Sequence, residues 1–174
     1  MSTRKSMKLP IVITFLFICI IVYLFMNIKQ TVIVCEKDTS FDSDIHLKET
    51  VTVNLDNKTI SSLDVVKKVT LPDMYSKKEE TLSAIQHSLE YTIEYLDKNA
   101  SCVIVDNSVI ANIHVDDNEL VLLDNISFVD NDGEIGISID TNTKSNQAIT
   151  LEVGDNYTDG ELMMFLKNKG YSCK

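Results

Sequence analysis

Residues 45–71 read IHLKETVTVNLDNKTISSLDVVKKVTL. Ile45, Leu47, Val51, Val53 and Leu55 alternate with His46, Lys48, Thr50, Thr52 and Asn54. A period of two marks a strand with one face buried. Asp56-Asn57-Lys58 is turn chemistry, because Asn and Asp tolerate the left-handed backbone region. Ile60, Leu63, Val65, Val69 and Leu71 form a returning strand, with an irregularity near Ser61-Ser62. The stretch is an antiparallel hairpin, and it sets the fold class.

On the C-terminal side, Pro72 and Asp73 stop the second strand. Ser76 to Glu79 matches a capping box, in which the Ser hydroxyl accepts the N3 amide and Glu79 reaches back. The helix is expected to run to about Lys98, with Leu82, Ile85, Leu89, Ile93 and Leu96 on one stripe that packs on the sheet. Cys102 to Val105 and Val109 to Val115 read as a second hairpin around Asp106-Asn107, with Val109, Ala111, Ile113 and Val115 inward. Leu120 to Leu123 and Ile135 to Ile139 are shorter strand candidates, and Asp132-Gly133 supplies a turn. Residues 141–147 lack periodicity and read as a loop, after which Ile149, Leu151 and Val153 alternate again. Thr158 to Glu161 is a second capping box. It opens a short helix carrying Leu162, Met163, Phe165 and Leu166, with Gly170 as the C′ stop and Tyr171 as the hydrophobic contact beyond it.

On the N-terminal side, Lys37 to Asp44 is polar and reads as a loop, and Thr31 to Val34 could begin a strand. Leu9 to Ile28 reads LPIVITFLFICIIVYLFMNI, twenty residues that as a helix would span about 30 Å, the thickness of a bilayer core. Arg4, Lys5 and Lys8 precede it and no acid does, so the positive-inside rule puts the N-terminus in the cytoplasm. The run is long for a cleavable signal, no small-residue cleavage site follows it, and neither Ile18-Cys19 nor Val34-Cys35 fits a lipoprotein signal. The sequence therefore predicts a cytoplasmic tail (1–8), a transmembrane helix (9–28) and an extracellular domain (29–174). The expected fold class is α+β: an N-terminal transmembrane helix, then an antiparallel sheet packed by one long amphipathic helix and a short C-terminal helix. The expected location is the cell membrane, single-pass, with the membrane as a partner.

The chain has 174 residues, with 26 acids against 16 bases, a formal charge of −10. A nucleic-acid binder needs Lys and Arg to neutralise phosphates, so that class is excluded. Five glycines and two prolines exclude collagen-like chains. Cys19 lies in the apolar run. Cys35, Cys102 and Cys173 allow one bridge in three pairings; Cys35–Cys173 is preferred, because it would tie the start of the domain to its last residues. The other two pairings, and no bridge at all, stay open at this point, with Cys102 suited to a small buried hydrophobe.

No zinc-ligand spacing, G-x-S-x-G, S-x-x-K, P-loop or dinucleotide-binding motif occurs, so no catalytic or cofactor-binding residue is assigned and no cofactor is expected. His46 and His114 sit on the polar registers of their strands, and His87 lies off the helix stripe. The acidic residues from Asp116 to Glu134 read first as solvated turns. Asp130, Asp132 and Glu134 are the candidate calcium ligands among them, although Phe128 and Ile139 occupy the positions an EF-hand would need for its first and last ligands. Asn57, Asn99, Asn125 and Asn156 open glycosylation sequons, but Lys-, Ile-, Asn- and Asp-rich usage points to a low-GC bacterium, where no glycan is expected.

VIVCEKD around Cys35, the 49–71 hairpin, the amphipathic helix, the second hairpin and the ending LKNKGYSCK together resemble the YehR-like type of small extracellular lipoprotein domain from low-GC Gram-positive bacteria. The resemblance covers residues 31–174. Those relatives often carry a lipid on the anchor cysteine, where this chain has the apolar run. The resemblance implies pairing of Cys173 with Cys35 and brings no catalytic residues. The expected function is a non-enzymatic binding or envelope-associated module, with an envelope protein or polymer as partner. The alternatives are an extracellular hydrolase with a dispersed site and a weak calcium-dependent adhesion or sensing module.

Overall fold

The structure is a computed structural model, and it describes residues 13–14, 16–22, 29–41, 44–73, 75, 78–95, 99–116, 119–131, 134–142 and 148–174. Strands β1 (Gln30–Phe41), β2 (Ile45–Asp56), β3 (Thr59–Thr70), β4 (Asn99–Val105), β5 (Ser108–Val115) and β10 (Ser172–Cys173) form one sheet in the order β10-β1-β2-β3-β5-β4. Every neighbouring pair in it is antiparallel. Strands β6 (Leu120–Leu123) and β9 (Ile149–Glu152) form a second small sheet, and β7 (Ile126–Asn131) and β8 (Glu134–Ile139) a third. Helix α1 (Lys78–Tyr95) lies between β3 and β4, and helix α2 (Asp159–Asn168) precedes β10.

The expected fold class and the single-pass location are corrected here. The chain is mostly antiparallel sheet, and among the described residues no helix is long and apolar enough to cross a membrane. A crossing needs about 20 apolar helical residues. The longest helix among the described residues, α1, has 18 and carries Glu79, Glu80 and Glu90. Within the expected span of 9–28, residues 13–14 and 16–22 are helical, with Leu16, Phe17 and Ile18 exposed; the other positions of that span and the tail 1–8 lie outside the described residues.

The β2–β3 hairpin shows why the local sequence dictates the sheet. Its turn holds Asn57 at φ 49° and Lys58 at φ 76°, the paired left-handed geometry that matches strand twist. One register shift occurs between Asn54 and Leu55, where Ile60 faces Leu55 and Ser62 faces Asn54, leaving Ser61 as the extra residue of a bulge. The Ser61 hydroxyl donates to the Asn54 carbonyl at 3.1 Å and helps satisfy the kink.

Among the described residues only one face of the large sheet is covered, and its core falls into two clusters. One joins Ile33, Val51, Val53, Leu55, Leu63 and Val65 to β6, β9 and α2. The other joins Ile45, Leu47, Val69, Leu71, Val109 and Ala111 to Leu82, Ile85 and Leu89 of α1, with Phe128 and Ile137 from the β7–β8 hairpin against it. Each fully buried aliphatic side chain contributes about 1.5–3 kcal/mol. Ile93 is half-buried on this stripe; Leu96, Ser76 and the capping box expected there lie outside the described residues.

Helix α2 carries both expected ends. Thr158 and Glu161 form a reciprocal capping box. At the C-terminus Tyr171 N–H donates to the Leu166 carbonyl at 3.1 Å and Gly170 N–H to the Lys167 carbonyl at 3.0 Å, a Schellman motif with Gly170 at φ 91°. That turn aims the chain back along β1, where Cys173 pairs with Cys35 in register and the two are disulfide-bonded.

Two local expectations are also revised. The polar segment 37–41 is strand rather than loop, because the β2 ladder continues to the Phe41–Ile45 pair, and Glu36–Lys48 at 3.2 Å lies on the solvent side. Residues 126–131, not expected as a strand, pair along their whole length with β8.

Candidate functional site

Two constellations stand out, one inside the covered face and one on the uncovered face. The inner one interrupts the apolar alternation. Glu49 on β2 and Lys67 on β3 occupy inward positions between the two clusters and face each other in register, as do Lys37 and Glu49 across β1–β2. Lys67 Nζ lies 3.0 Å from Glu49 Oε1, and both side chains are 4% exposed. Burying two charges costs several kcal/mol each unless attraction and hydrogen bonds compensate. Here the ammonium also donates to the Leu122 carbonyl at 2.9 Å and to Asn125 Oδ1 at 2.6 Å. Of the three N–H donors of an ammonium, two therefore reach acceptors, and the charge is balanced by the Glu49 carboxylate.

Glu49 is fixed from the other side. Its Oε2 accepts from Asp124 N–H at 2.9 Å and from the Tyr171 hydroxyl at 3.1 Å. Oε1 meets the lysine off hydrogen-bond geometry and has no hydrogen-bond partner. Burial, and then the neighbouring Glu49 charge, pushes the Tyr171 phenol up, so it acts as a donor at all ordinary pH values. Lys37 pairs with Asp124 at 2.7 Å and lies 5.7 Å from the centre of the Tyr171 ring. Asn125, itself buried, donates through Nδ2 to the Asp140 carbonyl at 3.1 Å. A cavity of about 30 Å³ lies beside Lys67 and Asn125, walled by Leu89, Ile93, Ile126 and Ile139. That volume holds a water molecule or two, not a metabolite.

The outer constellation lies on the uncovered sheet face. Asp64 on β3, His114 on β5 and Asn99 on β4 are successive partners across the sheet. His114 Nδ1 is 2.6 Å from Asp64 Oδ1, and Nε2 is 3.8 Å from Asp116 Oδ2. The Asp64 hydrogen bond holds the imidazole pKa above its ordinary value, opposed by slight burial and supported by the charges of Asp64 and Asp116. Asn99, Ser101 and Asn112 line the same open groove, whose volume is about 320 Å³. The groove offers donors and acceptors on a rigid floor. It holds a His–Asp pair, but among the described residues no hydroxyl is hydrogen-bonded to the imidazole.

The residues singled out from sequence fall elsewhere. Asp130 and Asn131 of β7 face Ile135 and Glu134 of β8 along the backbone ladder. Asp132, and the side chains of Asp130 and Glu134, lie outside the described residues. Among the described residues no group of three His, Cys, Asp or Glu side chains could hold a metal ion. Cys102 is unpaired and half-buried against the α1 cluster. Burial, and then the charge of Glu90, pushes its thiol up to about 11, so it is a poor nucleophile. His46 is 3.1 Å from the Ser40 hydroxyl and His87 3.7 Å from Glu90, both at the surface.

The inner constellation escaped the sequence reading, though its signal was present. Glu49 and Lys67 are charges of opposite sign at inward registers of two strands already paired as a hairpin. The partners from Leu122 to Asn125 and Tyr171 are distant in sequence and carry no local mark. No family model matches the chain, and neither a curated protein nor a solved structure is similar to it; the resemblance to the YehR-like type rests on the quoted residues alone.

Proposed function

We propose that this protein is a non-enzymatic binding module whose binding surface is the uncovered face of the six-stranded sheet. The observation that carries this reading is the one-sided core. All the described cover elements pack on one face, and the other presents a groove lined by Asp64, Asn99, Ser101, Asn112 and His114. The cavity beside Lys67 is too small for a metabolite, and Lys67, Asn125 and Glu49 Oε2 beside it are engaged with neighbouring protein groups. Polar, rigid groups on an open sheet suit recognition of a protein or polymer better than capture of a small molecule, which favours deep concave sites. The resemblance to the YehR-like type is compatible with this reading and brings no catalytic residues.

The test is a binding screen of the purified chain against cell-surface proteins and polysaccharides, read by calorimetry. A partner should lose affinity at least tenfold on Asn112→Arg, which crowds the groove, and keep it on Tyr91→Arg, on the exposed side of α1. A partner indifferent to Asn112→Arg would refute the surface. Turnover of ester, amide or glycoside substrates abolished by His114→Ala would replace this reading with the hydrolase alternative, which the His114–Asp64 contact alone favours.

A further inference from the structure

We propose that Lys67 and Asn125 become joined by an intramolecular amide bond, with Glu49 moving the protons of its formation. Three features of the buried cluster point there. Lys67 Nζ lies 2.6 Å from Asn125 Oδ1, so the carboxamide carbon, one bond further, is within reach of the amine. Glu49 Oε1, 3.0 Å from the same Nζ, is the base able to free its lone pair. Both Lys67 and Glu49 are 4% exposed, which keeps bulk solvent from the pair.

The remaining contacts hold the reactants in place. Asp124 N–H and the Tyr171 hydroxyl orient the Glu49 carboxylate, and the Asp140 carbonyl holds the Asn125 amide nitrogen. Such fixed proximity supplies effective concentrations far above those of free amines and amides, on the order of 10⁵ M or more.

The step balances without any co-reactant. Lys67 passes a proton to Glu49 and becomes a neutral amine. Its lone pair attacks Asn125 Cγ, forming the Nζ–Cγ bond and placing charge on Oδ1. A second proton moves from Nζ to Nδ2, the Cγ–Nδ2 bond breaks with its electron pair on nitrogen, and ammonia leaves. Glu49 then gives ammonia the proton first taken, so ammonium carries away the charge of the lysine. The product is a neutral secondary amide linking β3 to the segment between β6 and β7.

Intact mass measured on the reduced, denatured full-length chain tests this. The expected result is a mass one ammonia below that of the sequence, with a branched peptide joining Lys67 to Asn125 in its digest. Lys67→Arg, which keeps the charge without a competent nucleophile, and Asn125→Ala should restore the full mass. A wild-type chain of full mass overturns the proposal, as does a deficit mapped to any other pair or retained in Lys67→Arg. Glu49→Gln, checked for folding by circular dichroism, should also have the full mass; a folded variant that still lost ammonia would remove Glu49 from the step.

Discussion

Lys67 stands directly opposite Glu49 on adjacent strands, its Nζ 3.0 Å from Oε1, at the boundary between the two apolar clusters. Removing Glu49 leaves the Lys67 ammonium buried without its partner and without the base that lets it form the amide. Glu49→Ala should therefore cost about 3–5 kcal/mol in urea unfolding. Adding Lys67→Met to that variant should recover part of the loss, because the second charge is then gone as well. A double variant as unstable as the two single losses summed would show that the two residues are not coupled.

Lys58 holds φ 76° in the hairpin turn, where a Cβ is unfavourable. Lys58→Gly should raise stability by about 0.5–1 kcal/mol, net of the greater freedom of glycine in the unfolded chain. Thermal melts of the two proteins would register the gain, and Lys58→Val should shift the midpoint the other way.

The disulfide joins residues 138 apart in sequence. Loop closure of that length stabilises by up to about 5 kcal/mol in the chain-entropy treatment. Reductant should lower the melting temperature by roughly 10–20 °C. Cys102→Ser should leave that sensitivity intact, and a Cys35→Ala/Cys173→Ala variant should show none.

His114 has a folded pKa above its ordinary 6.5, chiefly through the hydrogen bond it donates to Asp64. A raised pKa means the folded state binds the proton more tightly. Its contribution to stability is fully present below about pH 6.5 and fades as pH climbs through the folded value. Asp64→Asn should bring the imidazole titration, followed by NMR, down towards the ordinary value; an unchanged midpoint would contradict the assigned cause.

Legibility from sequence followed the range of the interactions. The β2–β3 hairpin, its bulge at Ser61, the Leu82–Ile85–Leu89 stripe and both ends of α2 are set by residues a few positions apart, and each was readable. The strand order was not, because placing β5 beside β3 with β4 outside depends on which hairpin edge meets the sheet after α1. Strand β1 past Val34 lacks apolar alternation and is held by the β2 ladder. The Lys37–Glu49–Lys67 row was skipped because the alternation rule expects apolar residues at those registers, and only pairing across strands reveals the opposite charges. Hydropathy alone gave the membrane-span expectation, which no described helix meets.

The Cys35–Cys173 link also has a mechanical meaning. A pull on the chain from either side of the two cysteines runs through one covalent bridge, and the sheet, helices and buried cluster between them bear no load. On the order of 280 Å of contour length, the 138-residue span between the cysteines less the stretch enclosed by the Lys67–Asn125 amide, would stay hidden from a stretching experiment until a reductant cut the bridge. The domain would then behave under tension as a short, nearly inextensible tether whose slack is released by thiol chemistry.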